Sequence, residues 1–60
     1  MNEYQLNEAA RRASGFPGFA YAPTKAWARI VARRAGLDES TSIKRTKLYG
    51  EICWRVGTWL

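Results

Sequence analysis

Lys25, Arg29 and Arg33 recur four residues apart in TKAWARIVARRAGL, residues 24–37. Residues at this spacing share one face of a helix. The three cations therefore form a stripe, with Trp27, Ile30 and Val31 on the opposite side. Such a stripe can neutralise a polyanion, because Lys and Arg set against phosphates release condensed counterions. Many charged stripes do no more than face water, so the distribution of charge along the chain decides the reading. Residues 1–14 are neutral, with Glu3 and Glu8 against Arg11 and Arg12. Residues 15–37 carry +4 and no acid, and residues 38–60 carry +1. One predicted helix thus holds most of the +5 excess, and nucleic acid is the leading partner class.

Other chemistry is poorly provided for. The chain has no His, and its five carboxylates are scattered. Ser, Thr and Lys lack a histidine base to activate them, and no glycine-rich phosphate loop occurs. The residues imply no catalysis, no metal and no cofactor. A single cysteine, Cys53, excludes an intramolecular disulfide. Set in the apolar run Ile52–Trp54, it is expected to act as a small buried hydrophobe in a reducing, cytoplasmic setting. No apolar stretch approaches the roughly 18 residues of a membrane span, and the polar start MNEYQLNEAARR lacks a signal-peptide core.

Sixty residues allow one small domain with a marginal core. Asn2, with Gln5 three residues on, predicts a capping box opening a helix over 3–14. That helix would bury Leu6, Ala9, Ala10 and Ala13. Early acids and late arginines suit its dipole. Residues 15–23 (GFPGFAYAP) carry two glycines and two prolines. They are expected to form an irregular loop whose Phe16, Phe19 and Tyr21 pack on the core, or else stand out to stack on bases. Thr24 caps the second helix, over 24–36. Gly36 is its left-handed terminator and Leu37 the apolar residue beyond. Arg34, at the last turn, is expected to lay its stem over the core and aim its charge at the terminal carbonyls.

Residues 38–42 (DESTS) are expected to form a turn or a new cap, and the remainder has two readings. As a hairpin over about 42–57, Ile52, Trp54 and Val56 alternate, Tyr49-Gly50-Glu51 reverses the chain, and Ile43–Leu48 is a polar outer strand. As a helix, Leu48, Ile52, Val56 and Trp59 form an equally regular stripe. Gly50 and the wealth of β-branched and aromatic residues favour the hairpin. The expected fold is α+β, two short helices and a β-hairpin wing, with an all-α three-helix bundle as the alternative.

In this order the segments resemble the small winged helix-turn-helix proteins of the phage excisionase, or recombination directionality factor, family. Leu6-Asn7-Glu8-Ala9-Ala10 is similar to that family's opening helix, and Thr24–Leu37, closing on Ala-Gly-Leu, to its recognition helix. Ile43-Lys44-Arg45, Gly50 and Ile52–Val56 are similar to its wing, and Trp59-Leu60 to the ending that follows. The nine-residue loop between the helices departs from the family's usual tight turn. A second, weaker helix-turn-helix register starts at Val31 and puts Ser42 where a buried apolar residue belongs.

The resemblance implies a non-catalytic DNA-binding protein that regulates recombination or transcription and associates with itself on double-stranded DNA. Thr24, Lys25 and Arg29 would meet base edges in the major groove, and Arg33 a phosphate. Lys44, Arg45 and Lys47 would straddle backbone or minor groove, and Arg11 and Arg12 would hold a flanking phosphate. The alternative is a small phage-type inhibitor or adaptor. It would set exposed Phe16, Phe19, Tyr21, Trp54 and Trp59, with the arginines, against an acidic host protein or ribonucleoprotein. The apolar face of the second helix is short for membrane anchoring.

Overall fold

A computed structural model describes residues 1–58. The elements run α1 (Glu3–Ala13), β1 (Phe19–Ala22), α2 (Lys25–Arg34), β2 (Ile43–Leu48) and β3 (Glu51–Gly57). The fold is α+β and not all-α, with both helices and the hairpin where the residues predict them. Trp59 and Leu60, which carry one part of the family resemblance, lie outside the described residues.

Local chemistry sets the helix boundaries. The Asn2 side chain accepts from the Gln5 N–H at 2.8 Å, and the Gln5 side chain accepts from the Asn2 N–H at 3.1 Å. This is a reciprocal capping box. At the end of α2, Gly36 takes φ +76°. The Leu37 N–H donates to the Ala32 carbonyl at 2.8 Å and the Gly36 N–H to the Arg33 carbonyl at 3.1 Å. That pair of bonds is a Schellman motif, which needs the left-handed residue that glycine supplies.

The loop expected over residues 15–23 is half wrong. Its glycines and prolines sit at 15, 17, 18 and 23, which leaves FAYA free to extend as β1. β1 pairs antiparallel with β3, and the sheet order is β1-β3-β2. Strand alternation then sends the alanines inward and the rings outward. Ala20 and Ala22 are buried, while Phe19 and Tyr21 are 47% and 38% exposed. Phe16, before the strand, is 87% exposed. The rings do not pack on the core. Cys53 also departs from its expected burial: it is half-buried, on the outward side of β3.

Both helices lie on one face of the sheet. The core joins Leu6, Ala9 and Ala13 of α1, Ala28, Val31 and Ala32 of α2, and Ala20, Ala22 and Val56 of the sheet. Alanine dominates, so helices and sheet approach closely but bury little apolar area per residue. Trp27, Ile30, Leu37, Ile43 and Trp54 close the rim.

Gly18 makes the close approach at the joint between α1 and β1. A Cβ there would stand 2.3 Å from the Arg12 carbonyl oxygen and 2.8 Å from that of Gly15. Thr58 fastens the end of β3 to the same joint, its N–H donating to the Gly18 carbonyl at 2.9 Å. Its hydroxyl donates to the Gly15 carbonyl. In the 38–42 turn the Ser40 N–H and hydroxyl both donate to Asp38 at 2.8 Å, which lowers the Asp38 pKa. Ser42 is buried and satisfied: its N–H and hydroxyl donate to the Asp38 carbonyl, and its own carbonyl accepts from Gly57.

The hairpin turns through Tyr49 and Gly50, both with positive φ (53° and 82°). Two such residues between paired Leu48 and Glu51 fit a type I′ turn, whose preferred first residue is Asn. Tyrosine there is strained, and Tyr49 is 95% exposed with no packing to offset it. Tyr49→Asn is expected to stabilise the fold by about 1 kcal/mol and raise Tm by about 4–8 °C. A thermal melt in which the variant unfolds at or below the wild-type temperature would overturn this account of the turn.

Candidate nucleic-acid interface

The second helix presents the stripe that its spacing predicts. Thr24 caps it, its side chain accepting from the Trp27 N–H at 3.2 Å. Ala28, Val31 and Ala32 are buried, and Lys25, Arg29 and Arg33 are exposed. The first turn holds no acid and begins with Lys25. A cation at a helix N-terminus opposes the dipole, an arrangement that an anion bound there would relieve.

Register decides which hairpin residues join this helix. Trp54 pairs with Ala22 on β1 and Arg45 on β2, and Ile52 pairs with Lys47. All five share the helix-bearing face, because side chains directly opposite in a sheet point the same way. Lys25 Nζ lies 5.6 Å from the centroid of the Trp54 ring, within cation–π range. A cavity of about 410 Å³ opens between helix and sheet, lined by Lys25, Arg29, Glu39, Ser40, Ile43 and Trp54. Along the hairpin a second depression of about 310 Å³ is lined by Arg45, Thr46, Lys47 and Ile52. Lys25, Arg29 and Arg45 thus stand around Trp54, and Lys47 lies two residues along β2 on the same face. Glu39 is the carboxylate among the residues lining these two depressions.

Other sequence-predicted contacts fall elsewhere. Lys44 pairs with Arg55 on the opposite face of the sheet, so the three cations of β2 do not act as a set. The strand period of two separates Lys44 from Arg45 and Lys47. Arg33 contacts Glu39 at 3.3 Å. The pair is exposed and so weakly held, which leaves Arg33 able to exchange that carboxylate for a phosphate. Arg11 pairs with Glu8 at 2.9 Å. Arg12 borders a cavity of about 650 Å³ whose walls, Tyr4, Glu8 and Tyr21 among them, include no residue of α2 or the hairpin. Arg11 and Arg12 are therefore not brought to the site.

Arg34 does not cap its own helix. Its guanidinium donates to both Glu3 carboxylate oxygens at 2.9 Å and to Asn7 Oδ1 at 3.0 Å, tying the end of α2 to the start of α1. Hydrogen bonds from Arg34, and then its charge, hold the Glu3 carboxyl below the ordinary glutamate range. A depressed carboxylate stabilises the fold above its unfolded pKa, and that contribution is lost as pH falls through the folded value. Glu3→Gln is thus expected to lower Tm at neutral pH and to match the wild type in acid below both values. A Tm difference that persists undiminished in acid would refute the bridge as its origin.

Trp54 is not among the contacts predicted for DNA, and only the adaptor alternative expects it to be exposed. It is half-buried, and its place beneath Lys25 follows only from the β1-β3-β2 register. Compared with models of protein families, with curated proteins and with solved structures, the chain matches none.

Proposed function

We propose that this chain is a non-catalytic, sequence-preferring binder of double-stranded DNA, acting as an architectural or transcriptional regulator in the cytoplasm. Helix α2 enters the major groove with Thr24, Lys25 and Arg29 at base edges or the nearest phosphates. Arg45 and Lys47 of the hairpin reach the neighbouring backbone or minor groove. One observation carries the reading: Lys25, Arg29 and Arg45 stand around Trp54, with Lys47 next along the same side of β2. The likeness to excisionases extends it to self-association on neighbouring sites. The exposed rings of β1 lie on the other face of the sheet and do not count against it.

The test is binding to random-sequence duplex as salt rises from about 50 to 200 mM. Four phosphate contacts give a log–log slope of about −3.6, a loss of roughly a hundredfold in affinity. A flat response, or no binding at low salt, would sink the proposal.

A further inference from the structure

Among the described residues, the helices cover one face of the sheet and no element covers the other. Phe19 and Tyr21 project from β1 on that open face, their ring centroids 5.6 Å apart and their planes at 78°. The Arg55 guanidinium lies 5.9 Å from the Phe19 ring centroid. Across the strands Tyr21, Arg55 and Lys44 are direct neighbours in register. Beside Phe19, Gly57 leaves the floor without a side chain. Next to Tyr21 a shallow depression of about 390 Å³ is bordered by Cys53, Leu48 and Glu51.

The composition of this face runs against the needs of the fold. A chain whose core is mostly alanine displays aromatic rings where they bury little. An exposed apolar patch rimmed by cations marks a contact surface. Its charge limits the occupant. A second copy would bring together two chains that each carry +5. Duplex DNA keeps its base faces inside the stack, out of reach of the rings. A single strand offers both complements, flat bases for the rings and phosphates for the cations.

We infer that the open sheet face is a second binding surface, for single-stranded nucleic acid. Phe19 and Tyr21 stack on successive bases, and Lys44 meets the phosphate between them. Arg55 supports the Phe19 ring. The Glu51 carboxylate, at the edge of the depression, accepts from an N–H of a base seated there, the N3–H in the case of thymine. Because this face is separate from Lys25, Arg29, Arg45 and Lys47, the proposal stands without the duplex reading.

The test is fluorescence anisotropy of a labelled oligothymidine about ten nucleotides long, with and without unlabelled duplex. Binding is expected to survive saturating duplex and to survive Lys25→Ala with Arg29→Ala. The Phe19→Leu, Tyr21→Leu double variant should weaken it at least tenfold. These leucines keep apolar bulk and lack the stacking face, and a melting curve verifies the fold. Lys44→Ala should weaken it several-fold and make the salt slope shallower by about 0.7. The proposal is overturned if the oligonucleotide does not bind, if duplex displaces it, or if the leucine variant binds it unchanged. Ring-dependent binding of polyglutamate with none of the oligonucleotide would assign the face to an acidic protein instead.

Discussion

Gly18→Ala is expected to unfold most of the protein at ordinary temperature, although it adds a single methyl group. The new Cβ would lie 2.3 Å from the Arg12 carbonyl oxygen and 2.8 Å from that of Gly15. Both obstacles are backbone, and neither can swing aside. The Arg12 carbonyl accepts from the Gly15 N–H at 3.2 Å, and the Gly18 carbonyl accepts from Thr58. Relief would require α1 and β1 to part, opening the layer in which Ala13 and Ala20 pack. Overpacking of this kind costs about 3 kcal/mol or more. A chain of this length has only about 3–9 kcal/mol of total stability. Gly15→Ala is the control, since its nearest contact would be the Arg12 oxygen at 3.4 Å. Urea unfolding is expected to show Gly15→Ala near the wild type and Gly18→Ala largely unfolded before urea is added. Equal midpoints for the two variants would mean that the joint is not built as described.

The same joint shows where the sequence stops being informative. Both helices were legible because their signals are local: the Asn2–Gln5 box, the Thr24 cap and the Gly36 terminator act within a few residues. The hairpin was legible through Gly50 and the β-branched residues around it. β1 was not, because four residues give too short a period to outweigh two glycines and two prolines. Its existence depends on β3, more than thirty residues away. The site divides along the same line. Helix period alone puts Lys25 and Arg29 on one face. Choosing Arg45 and Lys47 over Lys44, and placing Trp54 beneath Lys25, requires the β2–β3 register. Arg34 looked like a residue of its own helix end because its partners, Glu3 and Asn7, are remote in sequence.

That geometry makes Arg29 and Lys47 distinguishable in a way that their shared charge does not. Arg29 sits on the helix and lines the cavity with Lys25 and Trp54, where a guanidinium can address two acceptors of one guanine. Lys47 sits on the edge strand β2, opposite Ile52, where an ammonium serves a phosphate as a point charge. Neither change should disturb the fold. Both residues are exposed, and alanine is the best helix former for position 29. Arg29→Ala is expected to cost about 1–3 kcal/mol on a selected site and much less on random duplex, narrowing the gap between them. Lys47→Ala should weaken both duplexes by a similar factor and make the salt slope shallower by about 0.9. Titrating each variant against a selected site and a scrambled duplex at several salt concentrations separates the two roles. Equal losses from Arg29→Ala on both duplexes would reduce α2 to a phosphate clamp. Specificity would then rest on the shape of the DNA that the hairpin grips.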